Sequence, residues 1–139
     1  PLIALGRADA LEPLEHLPVE FVAPMEVCRE LEQGEVAGHK PAALHSPAIR
    51  FVELTGGLSP LAAVNPGMGE AAVIQLALNE SFGVVCIDER KRRRAALAVG
   101  LRVTGTLGVL GRLKTTGVVG AVQPFVERLR GGRDRRARC

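Results

Sequence analysis

The sequence has no tryptophan and no tyrosine, and only four phenylalanines among 139 residues. That scarcity argues against an aromatic platform on which the bases of a single-stranded nucleic acid would stack. Cysteine is sparse too: Cys28, Cys86 and Cys139 are odd in number, widely spaced and form no Cys-x-x-Cys pair. Neither a disulfide framework nor a thiolate zinc site is supported, and a reducing, cytoplasmic setting fits best. No apolar run approaches the roughly 18 to 20 residues of a membrane span, and the opening lacks the layout of a signal peptide. His16, His39 and His45 show no metal-ligand spacing, and nothing matches the glycine fingerprint of a dinucleotide fold. Gly67-Met68-Gly69-Glu70 lacks the lysine and the length of a phosphate-binding loop. What remains is a single soluble, globular domain.

Hydrophobic residues make up 47% of the chain and charged residues 24%, enough to bury a real core. The net charge of +3 is a mild excess, but it is clustered. Arg90, Lys91, Arg92, Arg93 and Arg94 run together, and Arg133, Arg135, Arg136 and Arg138 crowd the C-terminus. Each cluster reads either as a footprint for a polyanion or as a solvated helix face.

Pro1 suits the first turn of a helix, because its missing N–H costs nothing there. A second short helix is expected over Ala8–Glu15, a strand over Glu20–Ala23, and then a helix opened by Pro24. Its apolar face is Val27, Cys28 and Leu31, and Gly34 ends it. A loop covers Gly38–Pro47, a strand Ile49–Leu54, and a glycine- and proline-rich connection Thr55–Gly69. From Glu70 the stripe Val73, Ile74, Ala77 and Leu78 is helical, and Gly83 stops it. Val84–Ile87 reads as a strand buried on both faces, as in parallel sheets. A helix over Glu89–Val99 stops at Gly100, a strand covers Leu101–Val103, and a helix Leu107–Lys114 follows. A last helix near Pro124–Arg130 precedes a basic, disordered tail, 131–139. Helices alternating with short strands predict an α/β fold with a central parallel sheet.

In such sheets ligands bind beyond the carboxyl ends of the strands. Asp88 ends the most apolar strand, so it is the best-placed acid; the alternative is a helix N-cap. Glu70 opens a helix just after two glycines that let the backbone approach closely. Either Glu26 or Glu30, four residues apart, could turn inward, or both could face solvent. Thr104-Gly105-Thr106 could bind phosphate or cap the next helix.

The stretches Pro1-Leu2-Ile3-Ala4-Leu5, Glu30-Leu31, Gly67-Met68-Gly69-Glu70-Ala71-Ala72 and Cys86-Ile87-Asp88-Glu89-Arg90 occur in the order of a PIN domain. Gly100-Leu101-Arg102-Val103-Thr104-Gly105-Thr106-Leu107-Gly108-Val109-Leu110 further resembles the PIN-like branch described as predicted nucleic-acid-binding proteins. The resemblance covers the chain to about Arg130 and is most specific from Glu70 to Leu110. It implies a three-layer α/β/α sandwich and a magnesium- or manganese-dependent ribonuclease, similar to the toxins of VapBC toxin–antitoxin pairs. By motif, Glu30, Glu70 and Asp88 would be its catalytic and metal-binding acids, with Glu89 as an auxiliary. The family's first acid lies in an Asp-Thr-Ser-Pro-Leu-like motif whose proline corresponds to Pro1. That aspartate and its strand would precede this sequence, and the expectation is a trimmed N-terminus.

Clustered carboxylates repel one another, and a hard divalent cation relieves the repulsion. Arg90 and Arg93 would neutralise substrate phosphates, and Thr104 or Thr106 would orient one. The expected partners are RNA, single-stranded rather than duplex, an antitoxin protein and a second copy in a homodimer, with no membrane. The alternative is a non-catalytic nucleic-acid-binding or protein-interaction module on the same fold. A purely structural oligomerisation domain, using Leu107–Leu110 and Val118–Val122, is the third reading.

Overall fold

Pro1 stands at the N-cap of α1 (Leu2–Arg7) in the computed structural model, which describes residues 1–36, 42–56 and 68–137. Asp9 then takes a positive φ of 55°, and the Ala10 N–H donates to the Leu5 carbonyl at 2.9 Å, closing the helix. A single turn, α2 (Leu11–Leu14), follows. The strand β1 (Phe21–Pro24) passes without a loop into α3 (Met25–Val36). Pro24 is tolerated at the end of β1, where a missing N–H costs the ladder least. Gly34 does not end α3, contrary to expectation. A glycine inside a helix costs only about 1 kcal/mol, and Val27 and Leu31 anchor this one in the core.

A 3-10 turn (Ala42–His45) leads into β2 (Ile49–Val52). After it come α4 (Met68–Glu80), β3 (Val84–Cys86), α5 (Arg90–Ala98), β4 (Arg102–Thr104), α6 (Thr106–Thr115) and α7 (Gln123–Ala137). Residues 37–41 of the expected loop, with His39, 57–67 of the expected connection, and 138–139 lie outside the described residues.

The strands are parallel, as the alternation predicts, and they pair as two separate ladders. In one, Phe21 to Pro24 lie opposite Ile49 to Val52. In the other, Val84 to Cys86 lie opposite Arg102 to Thr104, and the Ile87 N–H donates to the Thr104 carbonyl at 2.9 Å. The helix α4 packs on both β1 and β3, and on α3 and α5, so it ties the two ladders together. The apolar residues divide in the same way. Leu5, Leu11, Leu14, Leu31, Leu110 and Leu113 form the largest cluster, on the helical side. Ala77, Val85, Ile87 and Ala96 seal β3 between α4 and α5, while Leu54, Ala72 and Leu76 seal α4 over β1 and β2.

Three local expectations change. The helix α4 stops at Glu80 rather than at Gly83: Ser81 takes the left-handed conformation, φ 56°, and the Phe82 N–H caps the Ala77 carbonyl at 3.0 Å. The strand β3 is not buried on both faces, since Val84 is 50% exposed while Val85 is buried. Only one strand pairs with β3 among the described residues, so its first residue is left uncovered. The last helix continues past Arg130 to Ala137, because extending a formed helix costs far less than nucleating one. Gly100 does cap α5 as predicted, with φ 87°. Among the described residues, no helix is long and apolar enough to cross a membrane.

Candidate functional site

Parallel strands deliver their following residues to one end of the sheet, and Asp88 leaves β3 at that end. It does not cap α5; Glu89 does, its carboxylate accepting the Lys91 and Arg92 N–H groups, each at 2.9 Å. The auxiliary acid is thus occupied by a structural task. Asp88 turns instead to α6, whose own N-cap, Gly105, has no side chain to offer. Its Oδ1 accepts the Thr106 N–H at 2.7 Å and its Oδ2 accepts the Thr106 hydroxyl at 2.5 Å. The carboxylate therefore caps a helix from outside that helix, facing its positive end.

Burial alone would raise the Asp88 pKa, but the side-chain and backbone hydrogen bonds from Thr106 lower it, and the net shift is downward. The Pro1 nitrogen lies 3.5 Å from Asp88 Oδ2, and the Asp88 side chain remains 45% exposed. Thr106, only 5% exposed, spends its donors on this one carboxylate. Both contacts hold Asp88 in place, and the phosphate-orienting role expected of Thr106 is a matter for the proposed function.

Gly105 is extended, with φ −135° and ψ −174°, a conformation open to any residue. Its lack of a side chain matters for space. A Cβ there would come within 2.7 Å of Asp88 Oδ1 and 2.9 Å of Arg93 Nη1. Arg93 itself donates to the Ile87 carbonyl at 2.9 Å, bracing the peptide that leads into Asp88. Gly108 makes similar room, since a Cβ on it would collide with the Thr104 hydroxyl. Arg90 is exposed at the start of α5.

Glu30 and Glu70 meet at the start of α4. Glu30 Oε1 accepts the Gly69 N–H at 2.8 Å, and a Cβ on Gly69 would lie 2.5 Å from Glu30 Oε2. The close approach expected of this glycine is real, and what approaches it is Glu30. The Glu70 carboxyl is pushed up, first by burial and then by the negative charge of Glu89; Glu30 adds to the effect, while Arg92 opposes it. Cys86, just behind Asp88, is pushed up to about 11, chiefly by burial, so it stays an unreactive thiol.

Carboxylate oxygens suit Mg²⁺ or Mn²⁺ chemically. Nevertheless, no three His, Cys, Asp or Glu side chains among the described residues are gathered so that they could hold a metal ion. Glu30 accepts from Gly69 through Oε1 and Asp88 accepts from Thr106 through both oxygens, and each carboxylate keeps lone pairs beyond those bonds. Of the two glutamates of which one was expected to turn inward, Glu26 is the buried one. It is 8% exposed, its Oε2 has no hydrogen-bond partner among the described residues, and its Oε1 lies 3.7 Å from Arg29. Only its four-residue spacing from Glu30 hinted that one of the pair turns inward. A surface depression of about 650 Å³ beside Leu14, Leu17, Phe21, Ala48 and Arg50 holds none of the predicted site residues.

Over residues 1–138 the chain matches a family model described as a PIN domain. It belongs to the PIN-domain family. No curated protein and no solved structure matches it. A PIN domain is a nuclease-type fold.

Proposed function

We propose that this PIN-domain protein is a metal-dependent endoribonuclease, a phosphodiesterase acting on single-stranded RNA in the cytoplasm, of the kind held in check by an antitoxin. The observation that carries the reading is Asp88, a half-exposed carboxylate kept ionised by Thr106 beyond the end of β3. Glu70 is biased the other way and keeps its proton to higher pH. PIN domains generally use divalent metals, and Mg²⁺ or Mn²⁺ is the cofactor proposed, with Glu30, Glu70 and Asp88 as its ligands.

The absence of a gathered cation site among the described residues favours a second reading, an RNA-binding module without catalysis. One assay separates the two: incubation of single-stranded RNA with the protein and Mn²⁺ or Mg²⁺, beside Asp88→Asn and beside EDTA. The nuclease predicts cleavage that falls more than about a hundredfold in Asp88→Asn and vanishes in EDTA. Metal-independent binding without cleavage would replace it with the second reading. A homodimer accommodates either, and sedimentation of the same samples measures it.

A further inference from the structure

The run Arg90–Arg94 is one sequence feature but two structural ones. A helix places residues 100° apart, so five consecutive cations cannot share a face. Arg93 turns inward to the Ile87 carbonyl and lies against Gly105 and Asp88. Arg92 is half-buried, and its charge acts on Glu70. Arg90, Lys91 and Arg94 are exposed, and their side chains make no hydrogen bond or ion pair among the described residues, although the Lys91 charge acts on Glu89. Arg90 and Arg94 stand about one turn apart, roughly 6 Å along the axis, with Lys91 beside them. The stripe starts next to Asp88, at the N-terminus of α5, and runs away from it.

We infer that Arg90, Lys91 and Arg94 form the track along which the sugar–phosphate backbone of a single-stranded nucleic acid is led to Asp88, while Arg93 positions Asp88 and touches no phosphate. The inference rests on the proposed RNA substrate and refines it. It withdraws Arg93 from the substrate contacts and adds Lys91 and Arg94. Exposed cations whose side chains make no hydrogen bond or ion pair among the described residues give up little when they meet a phosphate, and they release the counterions condensed on the strand. Asp88, Glu89 and Glu70 at the head of the stripe would be repelled by a broad anionic lipid surface. A narrow strand can follow the cations and present a single phosphate to the acids. With so few aromatic residues, binding here draws on charge more than on stacking.

The test is the salt dependence of binding, by fluorescence anisotropy of a labelled single-stranded oligoribonucleotide in EDTA. The proteins compared are the unaltered chain, R90A/K91A/R94A, Arg93→Lys, and R112A/K114A as a control at the far end of α6. Each phosphate contact on a single strand contributes about 0.7 to the slope of log K against log salt. The triple variant should therefore lose about 2 from the slope and at least about tenfold in affinity at low salt. Arg93→Lys and the α6 control should keep the original slope, and thermal melts should show all variants folded. An unchanged slope in the triple variant, or an equal loss in the α6 control, overturns the track. If RNA is still cleaved in Mn²⁺ in either case, the nuclease reading survives without it. An unaltered chain that neither binds nor cleaves RNA defeats both, and binding to phosphatidylserine vesicles in its place would assign the stripe to a membrane.

Discussion

Two strand-to-helix corners in this molecule carry an acid, and their acids are treated in opposite ways. At the β1–α3 corner, Glu26 is buried, and among the described residues one of its oxygens is unpartnered and Arg29 lies near the other. At the β3–α5 corner, Asp88 stays half-exposed with both oxygens hydrogen-bonded by Thr106. Burial is the weaker sign of chemistry. A working carboxylate needs access from solvent and donors fixed in advance, so that its charge is held while a substrate can still reach it. Asp88 has both, whereas Glu26 has neither and stands as a local cost.

The largest effect that bears on this contrast is steric. Gly105→Ala pushes a methyl group into the space shared by Asp88 and Arg93, and should destabilise the fold by about 1–3 kcal/mol while displacing the carboxylate. Chemical denaturation would measure it, and no loss would mean the Asp88 corner is looser than its geometry. Next, Thr106→Val keeps the shape and removes the hydroxyl donor. It should cost about 1 kcal/mol, and the Asp88 pKa should rise towards the ordinary carboxylate value, read by carboxyl NMR. At the other corner, Glu26→Met should be neutral or raise stability by about 1 kcal/mol, because it removes a buried, half-satisfied group. A clear loss of stability there would mean that Glu26 has a partner and that the two corners are alike.

The pH dependence of stability sharpens the contrast further, though by a smaller amount. Asp88 titrates below its ordinary value when folded, so its contribution is complete above the unfolded pKa and is lost as pH falls through the folded one. Glu70 titrates above its ordinary value when folded. Its charge penalises the fold above that raised pKa, and the penalty disappears as pH falls through it. Glu70→Gln should therefore stabilise the protein at neutral pH, with the gain shrinking under acid conditions; a pH-independent difference would contradict the shift.

Much of this was legible along the chain where the determining contacts are local. Alternation of short apolar runs with helical stripes predicts parallel strands, and Gly100 announces the end of α5 by the left-handed turn it permits. Asp88 could be picked out because it follows Val85, Cys86 and Ile87 at a strand end. What could not be read depends on distant residues. Thr106 serves Asp88 across 18 positions and Gly69 serves Glu30 across 39, so neither pairing leaves a spacing signal. The sequence pairs Arg93 with Arg90 as a phosphate contact, because only packing against Ile87 and Gly105 separates Arg93 from its exposed neighbours. The division of the sheet into two ladders, and Ser81 taking the role expected of Gly83, are likewise outcomes of packing rather than of pattern.

The central claim is that the fold sets Asp88 and Glu70 to opposite proton affinities at one end of the strands. Side-chain carboxyl NMR across an acid titration of the folded protein reads both groups in one experiment. Asp88 is predicted to titrate below, and Glu70 above, the usual range for its residue type, and Thr106→Val should move Asp88 alone. Asp88 titrating at or above Glu70 would contradict the account.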